Sequence, residues 1–228
     1  MSQPDEVAQA VGRLDELTRR LRQECPWDRE QDERSIVPHT VEESYELADA
    51  AQRGDDRKLL DELGDVLFQV HFLALLLEER GAGSMADVAE HCRQKLIRRH
   101  PHVFGDVEAE TAGQVLANWD EIKQGEEGRE PGLFAHVPEN LPAPLYARKV
   151  QRRAASAGAF DLEVEEAMEE LAGCVQALAH APEDRDAREG MLGAVLFATV
   201  HVARKMRVDP ELALRAAAHR FRETLEPQ

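Results

Sequence analysis

The stretch Thr40-Val41-Glu42-Glu43-Ser44-Tyr45-Glu46, followed after fifteen residues by Glu62-Leu63-Gly64-Asp65, decides how this chain folds. Both segments carry helical spacing. Glu43 and Glu46 are i, i+3 neighbours, and so are Glu62 and Asp65, so each pair points off one side of its helix. Two such helices packed antiparallel bring four carboxylates into one small space. Such a cluster does not stay fully ionised without a cation among it, because like charges raise each other's pKa. Oxygen-only, anionic ligands at a partly open site suit Mg²⁺, with Mn²⁺ as a substitute, rather than Zn²⁺. A nest of this kind handles phosphates. A plainer reading stands beside it: Thr40 with Glu43 is also a capping box, an ordinary helix start.

The second helix narrows the choice. Lys58, Glu62, Asp65 and Gln69 fall at i, i+4, i+7 and i+11, a single polar stripe. The rest of that segment is apolar, with Leu59, Leu63, Val66, Leu67, Val70, Leu73 and Leu77. A polar stripe on so apolar a helix either faces water or lines an internal site. Lys58 beside two acids fits a metal–phosphate site, and it also fits an i, i+4 ion pair.

Outward from this hairpin, composition sets limits. The chain has 228 residues and a formal net charge of −17. So acidic a chain is no duplex nucleic-acid binder, which needs a basic face. A bound metal still provides the local positive field that a small anionic substrate needs. Cys25, Cys92 and Cys174 are scattered and read as reduced thiols, which predicts a cytoplasmic protein. The longest apolar run, Phe72 to Leu77, is far too short to span a membrane. Ala, Leu, Glu and Arg dominate, which predicts an all-α fold.

In chain order, residues 5–24 predict a first helix that Pro26 ends, with Trp27 as a lid or core anchor. Pro38 precedes a helix expected to begin near Thr40 and to end near Gly54. Asp55 then caps a long helix to about Arg80, closed by Gly81. Ser84 with Asp87 opens a helix to Arg99. Lys95 and Arg99 at its end suit a helix C-terminus, and at i, i+4 they also suit a phosphate chain. His100 and His102 read as loop histidines, two imidazoles being too few for a zinc site. Thr111 starts a helix through Gln124 that carries Trp119 and Lys123. Trp119 fits a core position, or a base-stacking one with Lys123 on phosphate.

Residues 125–144 are rich in Gly, Glu and Pro and read as a linker between an N-terminal domain, 1–124, and a C-terminal one, 145–228. The chain then repeats itself. Val164-Glu165-Glu166-Ala167-Met168-Glu169 echoes Val41 to Glu46, and Leu192-Gly193-Ala194-Val195-Leu196-Phe197 echoes Leu63 to Phe68. The second copy keeps the apolar face but puts Ala187, Met191 and Ala194 where the first has Lys58, Glu62 and Asp65. A solvated charge face gives no reason for so selective a loss. A metal site used in one copy does.

The EExxE…ExxD pattern resembles the all-α nucleoside triphosphate pyrophosphohydrolases, and the whole chain resembles the tandem-domain MazG proteins. The resemblance rests on Cys25-Pro26-Trp27-Asp28 to Gln31, Pro38 to Glu46, Glu62 to Gln69, and Arg98-Arg99-His100-Pro101-His102-Val103-Phe104. It implies Mg²⁺-dependent hydrolysis of nucleoside triphosphates to monophosphate and pyrophosphate with loose base selectivity. The implied metal ligands are Glu43, Glu46, Glu62 and Asp65, with Glu42 holding or activating water. Lys58, Lys95 and Arg99 match phosphate-binding positions, and Trp119 with Lys123 matches a nucleotide contact. The second copy lacks the ExxD, so activity is expected in the N-terminal half. A homodimer burying the apolar helix faces is also expected. Two alternatives stand: a non-catalytic nucleotide- or metal-binding interaction protein, and a relative acting on phosphoribosyl-ATP or dUTP.

Overall fold

A computed structural model describes residues 3–111, 113–115, 118–119, 122, 132–135 and 137–225. Among these the regular structure is helical throughout. The chain separates into two compact units, Met1–Val107 and Glu108–Gln228. The 125–144 stretch falls in the second, and its residues 125–131 and 136 lie outside the described residues.

The first unit contains α1 (Gln3–Glu24), α2 (Pro26–Glu30), α3 (Glu33–Arg53), α4 (Asp56–Glu79), α5 (Met85–Arg99) and the one-turn α6 (Pro101–Phe104). Helix α3 starts well before Thr40. Asp32 is its cap: the carboxylate accepts from the Ser35 N–H at 2.8 Å, and the Ser35 hydroxyl accepts from the Asp32 N–H at 2.9 Å. Pro38 therefore lies inside the helix. It lacks the N–H that would bond the Arg34 carbonyl, and the reciprocal cap together with the burial of Ile36 carries the helix through it. Thr40 sits mid-helix, its hydroxyl directed to the Ile36 carbonyl at 3.4 Å.

The other end of α3 follows the sequence signals. Gly54 closes it with φ 67°, a left-handed conformation that favours glycine. Asp55 immediately caps α4, accepting from the N–H groups of Arg57 and Lys58 at 3.1 and 3.0 Å. Two residues thus turn α3 back onto α4, and the pair packs antiparallel. Ile36, Phe72 and Leu76 form its buried core, with Phe68 and Leu73 packed against them. Helix α1 is clamped to the far end of α4. Arg19 donates to Glu78 at 3.0 and 2.6 Å, and Arg22 to Glu79 at 2.8 and 2.9 Å. Asp15 lies 3.5 Å from the buried His71.

Two local expectations are corrected. Trp27 is neither core nor closed lid: it is 50% exposed and meets His39 edge-on, ring centroids 6.0 Å apart. Nor does His102 lie in a loop, whereas His100 does occupy the single non-helical position between two helices. His100 caps α5, and His102 sits in α6, which Pro101 opens at N1.

The second unit contains α7 (Ala143–Ser156), α8 (Val164–Ala179), α9 (Arg185–Lys205) and α10 (Pro210–Leu225). Helices α8 and α9 pair as α3 and α4 do. Gln151 on α7 donates to the Phe197 carbonyl at 2.8 Å. His201 on α9 lies 3.3 Å from Glu170 on α8. Asp209 caps α10, accepting from Glu211 and Leu212 at 3.1 and 3.0 Å. Residues 113–115, 118, 119 and 122 are helical, within the span expected from Thr111 to Gln124.

Candidate active site

The α3–α4 hairpin sets the site. Its two-residue connection fixes the register, so Glu43 on α3 faces Glu62 and Asp65 on α4. One carboxylate oxygen from each of these three lies within 4.8 Å of the other two. Glu62 is 4% exposed, Glu43 is half-buried and Asp65 is exposed, so the cluster runs from the helix interface out to solvent. The Glu43 carboxyl is pushed above the usual carboxylate range, first by burial and then by Asp65, Glu46, Glu62 and Glu42. Its neighbours repel the charge it would carry.

Glu46 is turned elsewhere. Its carboxylate stands 3.7 Å from the Lys58 ammonium, which also lies 3.5 Å from Glu62. Lys58 thus ties the two helices together at the edge of the nest. Glu42 is exposed and lies 3.7 Å from His39, outside the three-carboxylate cluster.

A cleft of about 920 Å³ opens over these groups, lined by Glu46, Asp55, Arg57, Lys58, Leu60, Asp61, Glu62, Gly64 and Asp65. Arg57 escaped the sequence reading. Its signal is its place next to Lys58 on the first turn of α4, which gives the cleft a second cation. Lys95 and Arg99 are not among the residues lining this cleft. Trp119 is half-buried in the second unit, and Lys123 lies outside the described residues.

The donor set fits a small divalent cation. It is all oxygen and anionic, with one member buried. Around an ion bound at about 2.0–2.1 Å in octahedral geometry, ligand oxygens stand about 3–4 Å apart. Oxygens already within 4.8 Å of one another reach that spacing by small side-chain rotations. A thiol- and imidazole-free set of this kind does not suit Zn²⁺.

Residues 31–104, which include the whole α3–α4 hairpin, match the MazG nucleotide pyrophosphohydrolase domain. The chain is 39% identical over 221 residues to a nucleoside triphosphate pyrophosphohydrolase of Escherichia coli, covering 92% of this chain and 84% of that protein. It is 38% identical over 200 residues to a nucleoside triphosphate pyrophosphohydrolase/pyrophosphatase MazG of Thermotoga maritima, covering 87% and 76%. With likeness of this extent, and with the matched domain centred on the carboxylate hairpin, the chain belongs to the MazG nucleotide pyrophosphohydrolase family.

Proposed function

We propose that this chain hydrolyses nucleoside triphosphates to the monophosphate and pyrophosphate at the α3–α4 hairpin. The observation that carries the reading is the convergence of Glu43, Glu62 and Asp65 within 4.8 Å beside a cleft that also holds Arg57 and Lys58. Acids to hold a cation and bases to hold phosphate stand on the same wall.

Glu43, Glu62 and Asp65 would hold Mg²⁺, or Mn²⁺ in its place, and Glu46 would be available to join them when Lys58 engages phosphate instead. The ion, when bound, neutralises charge on the triphosphate and on the departing pyrophosphate. Lys58 and Arg57 fix the phosphate chain across the cleft. Water attacks the α-phosphorus, the bond to the α–β bridging oxygen breaks, and a carboxylate takes the water's proton. Glu42, next to Glu43 in sequence and outside the cation-holding trio, suits that role. The cleft's cations grip phosphate, which every nucleotide shares, so base preference is loose.

Two broader properties complete the proposal. Leu60, Leu63 and Leu67 form an exposed line on α4, which suits pairing of two copies into a homodimer. Three free thiols suit the cytoplasm. No helix among the described residues is long and apolar enough to cross a membrane.

The test is pyrophosphate release from a panel of nucleoside triphosphates with Mg²⁺, alongside Glu62→Gln. Release by the wild type that the variant lacks supports both activity and site. Nucleotide binding without release by the wild type overturns the enzymatic reading.

A further inference from the structure

The polar stripe of α4 does not stop at Asp65. One turn further on stands Gln69, only 8% exposed, its Oε1 buried without a hydrogen-bond partner among the described residues. The register of the hairpin places it. Glu43 faces Asp65, and Ile36 packs on Phe72. Gln69 lies between these two levels, on the face of α4 that carries Glu62 and Asp65. That register puts it at the floor of the nest, where polar groups give way to the apolar core. A leucine there would extend the Ile36–Phe72 core and leave nothing unsatisfied.

An amide oxygen accepts hydrogen bonds. The groups above it offer no donor, because ionised Glu43, Glu62 and Asp65 are acceptors as well. His39, at the facing level of α3, is drawn to Glu42 at 3.7 Å and to the Trp27 ring, and its neighbour Thr40 directs its hydroxyl to the Ile36 carbonyl. Lys58 is placed between Glu46 and Glu62, more than two turns along α4. A donor that arrives with what the nest binds fills this place. A cation in a cage of few protein ligands keeps several of its waters, and those waters are strong donors.

We infer that Gln69 Oε1 accepts a hydrogen bond from a water in the hydration shell of the cation held by Glu43, Glu62 and Asp65, and so positions the ion from beneath. This rests on the cation reading of the nest. Gln69 is a positioning residue that touches the ion only through that water. Outer partners of this kind characteristically change metal affinity by about 10–100-fold when removed.

The experiment uses Mn²⁺ alone, without nucleotide, and counts free ion by electron paramagnetic resonance against the full chain and its Gln69→Leu and Gln69→Glu variants. Thermal unfolding without metal reports the fold. Gln69→Leu should bind Mn²⁺ at least about 10-fold more weakly, while its metal-free melting temperature holds or rises. Gln69→Glu keeps an acceptor and should bind at least as tightly as the wild type. If Gln69→Leu binds Mn²⁺ as the wild type does, the inference falls while the nest stands. If it melts early without metal, Gln69→Glu decides: weaker binding by a folded Gln69→Glu overturns the inference. If the wild type binds no Mn²⁺, the cation reading falls and this inference with it.

Discussion

Lys58 reaches from α4 to within 3.7 Å of Glu46 on α3. In the proposed reaction Lys58 would bind phosphate and Glu46 the ion, so this contact would mask both until substrate and ion arrive together. Lys58→Met should raise KM for nucleoside triphosphate by about 10–100-fold, the size expected of a lost charge-assisted hydrogen bond. Mn²⁺ binding without nucleotide should be kept or improved, because Glu46 is released. An unchanged KM would remove Lys58 from the substrate contacts.

Asp65→Asn should lower kcat by more than about 100-fold, in the range seen when a group that stabilises transition-state charge is lost. The fold should not suffer. One like charge leaves the cluster that pushes the Glu43 carboxyl upward, so the metal-free melting temperature should hold or increase. Pyrophosphate release and thermal unfolding on one preparation test both halves of this expectation.

Gly64 lies in the wall of the cleft, and a Cβ built there meets nothing within 4 Å. Alanine in a helix interior is favoured over glycine by about 0.8–1 kcal/mol. Gly64→Ala should therefore stabilise the chain by that amount in urea unfolding. The same methyl narrows the path of the substrate and should raise KM several-fold. Stabilisation with KM unmoved would mean that substrate does not pass over this wall.

The clamp between α1 and α4 sets an acid limit. Arg19 holds Asp15 and Glu78 below the usual carboxylate range, and Arg22 does the same for Glu79. A carboxyl whose folded pKa is depressed contributes stability that is full above its unfolded pKa, about 4, and is lost as pH falls through the folded value. The urea midpoint should stay level from pH 7 to 5 and fall below pH 4. Arg19→Met should flatten that fall. An equally steep loss in the variant would place the acid sensitivity elsewhere.

Much of the fold was legible because its signals are local. Gly54 with Asp55, Ser84 with Asp87, and Asp209 with Pro210 each satisfy orphan helix-end groups within a few residues, and each marks a boundary that the structure shows. Thr40 misled for the same reason: it carries a capping pattern, but Asp32 makes the cap, and burial of Ile36 draws the helix past Pro38. At the site, helical spacing made the shared face of Glu62 and Asp65 legible. That Glu46 would turn to Lys58 was not, because two helices compete for one ammonium. Trp27 was misread because an aromatic in a Pro-bounded turn says nothing about which neighbour it meets. Here that neighbour is His39, at the surface.

The two-residue turn at Gly54 and Asp55 bears on the order of folding. Every carboxylate of the nest lies within residues 33–79, in a hairpin whose ends are joined by the shortest of links. Contacts so near in sequence form early and quickly, since little chain must be ordered to close them. On this ground the nest should assemble in the transition state for folding of the first unit, before α1 docks through Arg19 and Arg22. A divalent ion present during refolding should then speed the folding step itself rather than only slow unfolding, and the chain would acquire its metal while it folds.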